Sequence, residues 1–258
     1  MTTMRYVGPA VLVGLIVGGT AAFSAGQLAP APAKPGATAR AAAPAAAKAP
    51  VKQRLPGYSA DRNAYFGDLH VHTQLSFDAY IFNVRRSPDD AYRFAKGEAI
   101  GHAQGYDIRL AGGPLDFVAV TDHAEYIGAI REAADPKSPL SKLPVTEGLF
   151  SPEPAAIRAA FTRVVTAFRD NTLPKEFSSP EIVSKSWNEI QDAAARHNQP
   201  GRFTTFVGYE FTSAPDGRNL HRNVIFRGSK VVGAPYSANM SRDPEDLWKA
   251  MDGWRDML

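Results

Sequence analysis

Short apolar runs alternate with longer amphipathic stretches from about residue 64 onward. A strand places alternate side chains on opposite faces, and an uninterrupted run of β-branched and aromatic residues is typical of a buried strand. This pattern predicts strands over residues 65–72, 115–121, 203–211 and 219–226. A Pro-Asp-Gly turn separates the last two, so we expect them to pair as a hairpin.

Helical patterns fill the stretches between these strands. Ser87 followed by Pro88 and two aspartates is typical of a helix start, with Ser87 as the N-cap. Further helices are predicted over residues 154–170, 180–197 and 243–258. In the last of them we expect Leu247, Trp248 and Met251 to face inward. Because strands and helices alternate, we predict an α/β fold on parallel strands, with functional residues at the carboxyl ends of the strands.

The N-terminal part of the chain differs from the rest in composition. Residues 1–26 combine an early positive charge with an uncharged apolar run of about 20 residues, the layout of a signal peptide or an N-terminal membrane anchor. Residues 27–56 are rich in Ala and Pro and predict an extended linker. We therefore expect an exported protein that is periplasmic, secreted or membrane-anchored facing outward. Residues 6–25 would be the membrane tether if the segment is retained.

The formal net charge of +3 belongs to this N-terminal part and not to the folded domain. Residues 1–54 contain six Lys or Arg and no acid, which leaves 23 bases against 26 acids in residues 55–258. An acidic domain gives no support for nucleic-acid binding, and we expect no nucleic-acid partner. The chain has no cysteine, which excludes thiol catalysis and thiolate metal ligands.

The first predicted strand carries Asp68, His70 and His72 on one face. Burying two imidazoles and a carboxylate is costly unless each is paired, and a metal ion supplies that pairing. Two histidines one residue apart also occur on ordinary surface strands, so this motif alone does not decide between the two interpretations. We predict His70 and His72 as metal ligands and Asp68 as a catalytic residue that orients a ring.

Ionisable residues also mark the ends of the other predicted strands. Asp78 follows the first strand, His123 follows the second, and Glu210 ends the third. His221 begins the fourth strand, but in a hairpin it would lie beside Glu210. A helix N-cap at the end of the second strand is an alternative that leaves His123 unexplained, and Glu210 could be a partly exposed strand end. We predict all four residues as metal ligands.

The two remaining histidines carry weaker signals. His197 ends a predicted helix, where an imidazolium suits the helix dipole, and we interpret it as structural. His102 lies in a Gly-rich loop, and its role is left open.

Taken together, these motifs resemble the PHP (polymerase and histidinol phosphatase) superfamily. Residues 68–73 with Ser76 and Asp78 match its first motif, residues 121–123 match its second, and Glu210 matches its bridging carboxylate. Over roughly residues 60–258 the chain resembles more narrowly an uncharacterised exported branch, the domain-of-unknown-function family 3604 (DUF3604).

The resemblance implies a distorted (β/α)7 PHP-type barrel that holds two or three divalent metal ions, commonly zinc, manganese or iron. It also implies phosphoester hydrolysis by a metal-bound hydroxide. His70 and His72 would bind one ion, Asp78 and His123 would bind a neighbouring one, Glu210 would bridge, and His221 would be a further ligand. No histidine follows His221, whereas the superfamily completes its site with later ones. We therefore expect residues 57–258 to form the N-terminal part of a barrel that is incomplete at its C-terminus.

The sequence thus predicts an exported metal-dependent hydrolase with a small-molecule phosphoester substrate. Arg218 and Arg222 are the candidate catalytic residues for contacting its phosphate, although Arg222 alternates to the other face of its strand. The alternatives are hydrolysis of a C–N or C–O bond on the same metal site, and a truncated or degenerate domain without catalytic activity. The oligomeric state is left open.

Overall fold

Strands and helices alternate through residues 64–215 and 218–257, which are the residues that the computed structural model describes. The strands of this part are β1 (Gly67–Val71), β2 (Ile100–Gly101), β3 (Asp107–Ile108), β4 (Phe117–Val120), β5 (Thr204–Ser213) and β6 (Leu220–Ile225). Its α-helices are α1 (Phe77–Ile81), α2 (Pro88–Ala95), α3 (Ala129–Ala133), α4 (Pro154–Arg169), α5 (Pro180–His197) and α6 (Pro244–Trp254). The predicted signal or anchor segment and the linker lie outside the described residues.

Four of the strands form one sheet in the order β1-β4-β5-β6. β1, β4 and β5 are parallel, and β6 runs antiparallel to β5. The side-chain amide of Asn223 on β6 donates to the backbone oxygen of Leu69 on β1 at 2.9 Å, so the sheet curls until its two outer strands approach each other. The predicted α/β class and the parallel strands are therefore confirmed. A separate antiparallel pair, β2 and β3, lies outside this sheet.

The predicted hairpin is formed by β5 and β6, and β5 extends two residues further than expected. In its register Thr212 pairs with His221, and Glu210 pairs with Asn223. The start of β6 therefore lies beside the end of β5, as the turn between them predicted. This pairing places His221 next to the site that β5 carries.

A buried apolar core fixes which face of β5 carries polar residues. Trp187 of α5 packs with Tyr209 and Phe211 of β5, and the rings of Trp187 and Tyr209 meet edge to face at 5.8 Å. Because Tyr209 and Phe211 point into this core, Glu210 and Thr212 point to the opposite face of the strand. The core thus holds the candidate site residues of β5 in position.

The predicted helix starts agree closely with the structure. The hydroxyl of Ser87 accepts the backbone N–H of Asp90, and the Asp90 carboxylate accepts the backbone N–H of Ser87. This reciprocal pair satisfies two N–H groups that the first turn of α2 would otherwise leave unpaired. Asp243 caps α6 by accepting the N–H of Glu245.

One expectation for α6 is wrong. Leu247 is buried, but Trp248 is 51% exposed and Met251 is 41% exposed. Leu247 and the half-buried Trp254 lie seven residues apart on one narrow stripe, and this stripe alone packs against the core. No helix among the described residues combines the length and the apolar character needed to cross a membrane.

Candidate metal centre

All six predicted metal ligands lie close together. Four of them lie on or just after the parallel strands β1, β4 and β5, Asp78 lies in α1, and His221 lies at the start of β6. They form three groups, in each of which the ligand atoms lie within 4.8 Å of one another. Glu210 belongs to the first and third groups, His72 to the first and second, and His123 to the second and third. The groups are His70, His72 and Glu210; His72, Asp78 and His123; and His123, Glu210 and His221.

Glu210 lies at the centre of this cluster, with its side chain fully buried. Its Oε2 lies 2.7 Å from Nε2 of His72, 3.0 Å from Nε2 of His70 and 3.5 Å from Nδ1 of His123. Its Oε1 contacts Nδ1 of His221. Burial raises the pKa of Glu210, but the surrounding imidazoles outweigh burial and hold the pKa well below its usual range. Glu210 is therefore a buried carboxylate anion that faces four imidazoles.

Asp78 lies on the other side of two of these rings, in the first turn of α1. Its Oδ1 lies 3.6 Å from Nδ1 of His72, and its Oδ2 lies 3.5 Å from Nε2 of His123. Burial raises the pKa of Asp78, but the two histidines outweigh it and lower the pKa below its usual range. Burial lowers the pKa of His72, but the carboxylates of Asp78 and Glu210 outweigh it and raise the pKa to about 10. The second group therefore shares His72 with the first group and His123 with the third. Each of these rings faces Asp78 with one nitrogen and Glu210 with the other.

This sharing limits how many groups bind a metal ion at once. A neutral imidazole has one nitrogen with a free lone pair, while its other nitrogen carries a proton. His72 faces Glu210 with Nε2 and Asp78 with Nδ1, so it serves either the first group or the second. His123 faces Asp78 with Nε2 and Glu210 with Nδ1, so it serves either the second group or the third.

The geometry of the first group fits a divalent metal ion. The Nε2 atoms of His70 and His72 are 3.1 Å apart. Two nitrogens bound to one tetrahedral zinc ion, each at about 2.0–2.1 Å, are separated by about 3.3 Å. A carboxylate oxygen of Glu210 lies within 3.0 Å of both nitrogens and would be the third ligand of such an ion. A donor set of imidazoles and carboxylates suits zinc, manganese or iron and does not select one of them.

Asp122, the middle residue of the motif at 121–123 and with Thr121 one of the two candidates for the alternative helix N-cap, joins β4 to the turn after β1. Its buried carboxylate accepts the backbone N–H and the hydroxyl of Thr73 at 2.6 and 2.7 Å, and the backbone N–H of Ser76 at 3.1 Å. The N-cap interpretation is wrong, since no helix begins at Asp122. The hydroxyl of Ser76 then accepts the N–H of His123 at 3.0 Å and lies 3.1 Å from Nδ1 of His72. Asp122 thereby positions two of the candidate ligands.

Two further buried polar residues were missed by sequence reasoning. Glu125 accepts the backbone N–H of Thr212 at 3.1 Å and that of Ala238 at 2.7 Å, and burial raises its pKa to about 8. The hydroxyl of Thr212 lies 2.9 Å from Nδ1 of His123 and 3.0 Å from Nδ1 of His221. The hairpin register, which pairs Thr212 with His221, is the signal that could have identified Thr212.

The three predicted catalytic residues lie outside this cluster. The carboxylate of Asp68 accepts the backbone N–H of His70 at 2.9 Å, so the expected contact with an imidazole ring is not formed. Arg222 pairs with Phe211, lies on the other face of β6 from His221, and donates to the backbone oxygen of His221 at 3.0 Å. Arg218 is exposed in the turn that precedes β6.

The other two histidines lie away from the cluster. His102 stacks on Tyr106, with ring centroids 4.4 Å apart. His197 lies between Lys96, whose ammonium is 2.9 Å from Nδ1, and Asp89, whose carboxylate is 2.9 Å from Nε2. Burial and Lys96 lower the pKa of His197, although Asp89 opposes them. His197 thus joins α5 to α2 through Asp89, and its lowered pKa favours the neutral ring over the imidazolium.

Comparison of the chain with curated proteins and with solved structures gave no match. Comparison with protein families gave a match over residues 59–257, which are most of the chain and contain every candidate ligand. The matched family is described as Protein of unknown function (DUF3604), and the chain belongs to it.

Proposed function

We propose that this protein is an exported metal-dependent hydrolase that acts as a phosphoesterase on small molecules. The observation that supports this proposal most strongly is the buried carboxylate of Glu210, which faces the imidazoles of four histidines. An ionised carboxylate and several imidazoles in a buried position are compensated best by bound cations. We propose two or three divalent ions, with zinc, manganese and iron as the candidates. The three ligand groups share His72 and His123, so they could bind two ions at once, and a third ion would need further ligands.

Divalent ions in such a site polarise a phosphoryl oxygen and lower the pKa of a water molecule. The candidate ligands differ in how deeply they are buried. Glu210 and His123 are buried at the bottom of the site, whereas the side chains of His70 and His221 are 51% and 39% exposed. Substrate would therefore approach from the side of His70 and His221. Arg218, in the turn before β6, would contact the substrate phosphate from this side.

The fold proposed for the domain is part of a PHP-type (β/α)7 barrel. The support consists of the parallel order β1-β4-β5, the curled sheet, and the position of every candidate ligand at or next to a carboxyl strand end or in the hairpin beside it. Export is proposed from the apolar segment and linker in residues 1–56. The formal charge of −3 over residues 55–258 supports a small-molecule partner and not a nucleic acid.

The proposal is tested by loading the purified chain separately with Zn²⁺, Mn²⁺ and Fe²⁺. Bound metal is counted by inductively coupled plasma mass spectrometry, and hydrolysis is followed with p-nitrophenyl phosphate. We expect at least one tightly bound ion and turnover with at least one metal. Glu210→Gln should lower turnover at least about 100-fold, because the bridging charge is lost. His102→Gln, which alters a histidine outside the cluster, should leave both measurements unchanged.

Two outcomes would contradict the proposal. Less than one tightly bound ion and no turnover under every loading condition would exclude the metal-dependent hydrolase and favour the non-catalytic alternative. Tight ion binding without phosphate release, together with hydrolysis of a carboxyl ester or an amide, would keep the metal site and exclude the phosphoesterase activity.

A further inference from the structure

The hydroxyl of Thr212 has a complete set of hydrogen-bond partners, although it is not a candidate ligand. It donates to Oε1 of Glu210 at 3.2 Å, and its oxygen lies 2.9 Å from Nδ1 of His123 and 3.0 Å from Nδ1 of His221. A threonine hydroxyl offers one proton and two lone pairs. Since the proton is directed to the carboxylate, both lone pairs are left to accept protons from the two imidazoles.

The surroundings of each ring agree with this assignment. Nδ1 of His123 faces only oxygen atoms, those of Thr212 at 2.9 Å, Glu210 at 3.5 Å and Glu125 at 3.9 Å. Nδ1 of His221 faces the oxygens of Thr212 and Glu210. Nε2 of His123 faces the carboxylate of Asp78 at the longer distance of 3.5 Å. Nδ1 therefore has the closer acceptor, the hydroxyl of Thr212 at 2.9 Å, and the proton is assigned to Nδ1.

We propose that Thr212 is a positioning residue that holds His123 with its proton on Nδ1, so that Nε2 is the nitrogen that faces a metal ion. This inference rests on the proposed metal site and specifies how it is built. Thr212 contacts no substrate and acts through His123. Its backbone is fixed by Glu125, which accepts its N–H, and its side chain is 2% exposed, so the hydroxyl has little freedom to turn away.

Ser76 lies beside the other shared ring. Its hydroxyl accepts the N–H of His123 at 3.0 Å and lies 3.1 Å from Nδ1 of His72. His72 faces a carboxylate with each ring nitrogen, Glu210 at 2.7 Å from Nε2 and Asp78 at 3.6 Å from Nδ1. The assignment of a proton therefore applies to His123 and is not extended to His72.

This assignment distinguishes among the three ligand groups. The first group does not contain His123, so the assignment leaves all three of its ligand atoms in place. An ion between Nε2 of His123 and Asp78 keeps both of these ligands, which lie 3.5 Å apart. The third group loses the ligand atom of His123, because Nδ1 carries a proton. Ions are therefore expected near His70 and near Asp78, and not between His123 and His221.

The experiment compares the full chain with two variants at position 212. Thr212→Val removes the hydroxyl but keeps the branched shape, and Thr212→Ser keeps the hydroxyl but loses the methyl group. Long-range ¹H–¹⁵N spectra of the histidine rings, recorded before and after addition of Zn²⁺, report which nitrogen carries the proton. Competition with a chromophoric chelator gives the Zn²⁺ affinity, and thermal unfolding of the metal-free proteins checks that each variant folds.

We expect the wild-type spectrum to place the proton of His123 on Nδ1 and to show a Zn²⁺-dependent shift at Nε2. Thr212→Val should bind Zn²⁺ about 10–100-fold more weakly and lose the single protonation pattern, as removal of an orienting hydrogen bond does in other metal sites. Thr212→Ser should restore both properties. A proton on Nε2 of wild-type His123, or equal Zn²⁺ affinity in a folded Thr212→Val protein, would overturn the proposal.

These readouts also separate the inference from the proposed function. If the wild-type chain binds no Zn²⁺, the proposed metal site fails, but the metal-free spectrum still tests the assignment at His123. If Thr212→Val does not fold, the wild-type spectrum still shows which nitrogen of His123 carries the proton, and Thr212→Ser still shows whether a hydroxyl at this position is sufficient for Zn²⁺ binding.

Discussion

The Asp122 carboxylate accepts both the backbone N–H and the hydroxyl of Thr73, at 2.6 and 2.7 Å. Both side chains are buried, and they come from chain segments 49 residues apart. The pair joins the carboxyl end of β4 to the turn that follows β1. Since His72 precedes Thr73 and His123 follows Asp122, it also sets the distance between two candidate metal ligands.

We predict that Asp122→Asn lowers the free energy of unfolding by about 1–2 kcal/mol. The amide oxygen can replace Oδ1, which accepts the N–H groups of Thr73 and Ser76, but its NH₂ group replaces Oδ2 and takes away the acceptor of the Thr73 hydroxyl. The charge that strengthens these hydrogen bonds is also lost. Urea unfolding in the presence of a chelator measures this effect without metal. Asp135→Asn, at an exposed carboxylate that accepts only the N–H of Lys137, should change stability by less than about 0.5 kcal/mol. Equal stability of wild type and Asp122→Asn would show that Asp122 does not support the fold.

Gly67 allows β1 to lie close to β4, and a substitution there should weaken both fold and site. A Cβ atom at this position would overlap the ring and the carbonyl oxygen of Phe117, its register partner on β4. We predict that Gly67→Ala displaces β1, lowers the free energy of unfolding by about 1–3 kcal/mol and weakens Zn²⁺ binding, because β1 carries His70. Chelator competition and urea unfolding measure the two effects.

Gly112→Ala is the matched control for this substitution. A Cβ atom at Gly112 would have no heavy atom within 4 Å, so neither stability nor Zn²⁺ affinity should fall. Wild-type Zn²⁺ affinity in Gly67→Ala would contradict the role of β1 in presenting the metal ligands.

The candidate ligands could be predicted from the sequence because each belongs to a local pattern. Strand alternation placed His70 and His72 on one face, and the turn before β6 placed His221 beside Glu210. Asp122 could not be assigned in this way, and the place of Thr212 opposite His221 in the hairpin gives its position but not its partners. Their roles depend on hydrogen bonds to residues that are adjacent only in the folded chain, and such contacts leave no periodic signal.

The limits of the fold prediction have a similar physical origin. An amphipathic pattern shows that a helix has an apolar face, but it does not give the width of the surface that covers this face. Trp248 and Met251 were therefore expected to be buried, although α6 packs only along the stripe of Leu247 and Trp254. The assignment to a PHP-type barrel depends mainly on motifs, because the four strands of the described sheet agree with part of such a barrel but do not define it, and it stays a prediction.

Zn²⁺ affinity should continue to rise with pH above neutrality. The carboxylates of Asp78 and Glu210 outweigh burial and raise the pKa of His72 to about 10 in the metal-free protein, so its ring is protonated on both nitrogens at pH 7. Binding an ion must displace one of these protons, and the affinity should increase by up to about tenfold per pH unit. Chelator competition between pH 7 and pH 8.5 measures the slope.

Asp78→Asn provides the comparison for this slope. Without the Asp78 carboxylate, the pKa of His72 should move towards its ordinary value, and the dependence of affinity on pH should become shallower. An affinity for the wild type that is constant above pH 7 would contradict the raised pKa of His72.

His197 joins α5 to α2 as a neutral imidazole, and its contribution to stability should depend on pH. Burial and Lys96 lower its pKa from 6.5, so the folded ring stays neutral at a pH where the unfolded chain binds a proton. The stabilisation is therefore complete above about pH 6.5 and decreases as the pH falls below it. We predict that His197→Gln costs about 1–2 kcal/mol at pH 7.5, and that this difference from the wild type decreases at pH 5.5. Urea unfolding with chelator at both pH values measures the difference, and His102→Gln controls for the loss of a histidine elsewhere. A difference that grows on acidification would mean that the ring is charged between Lys96 and Asp89.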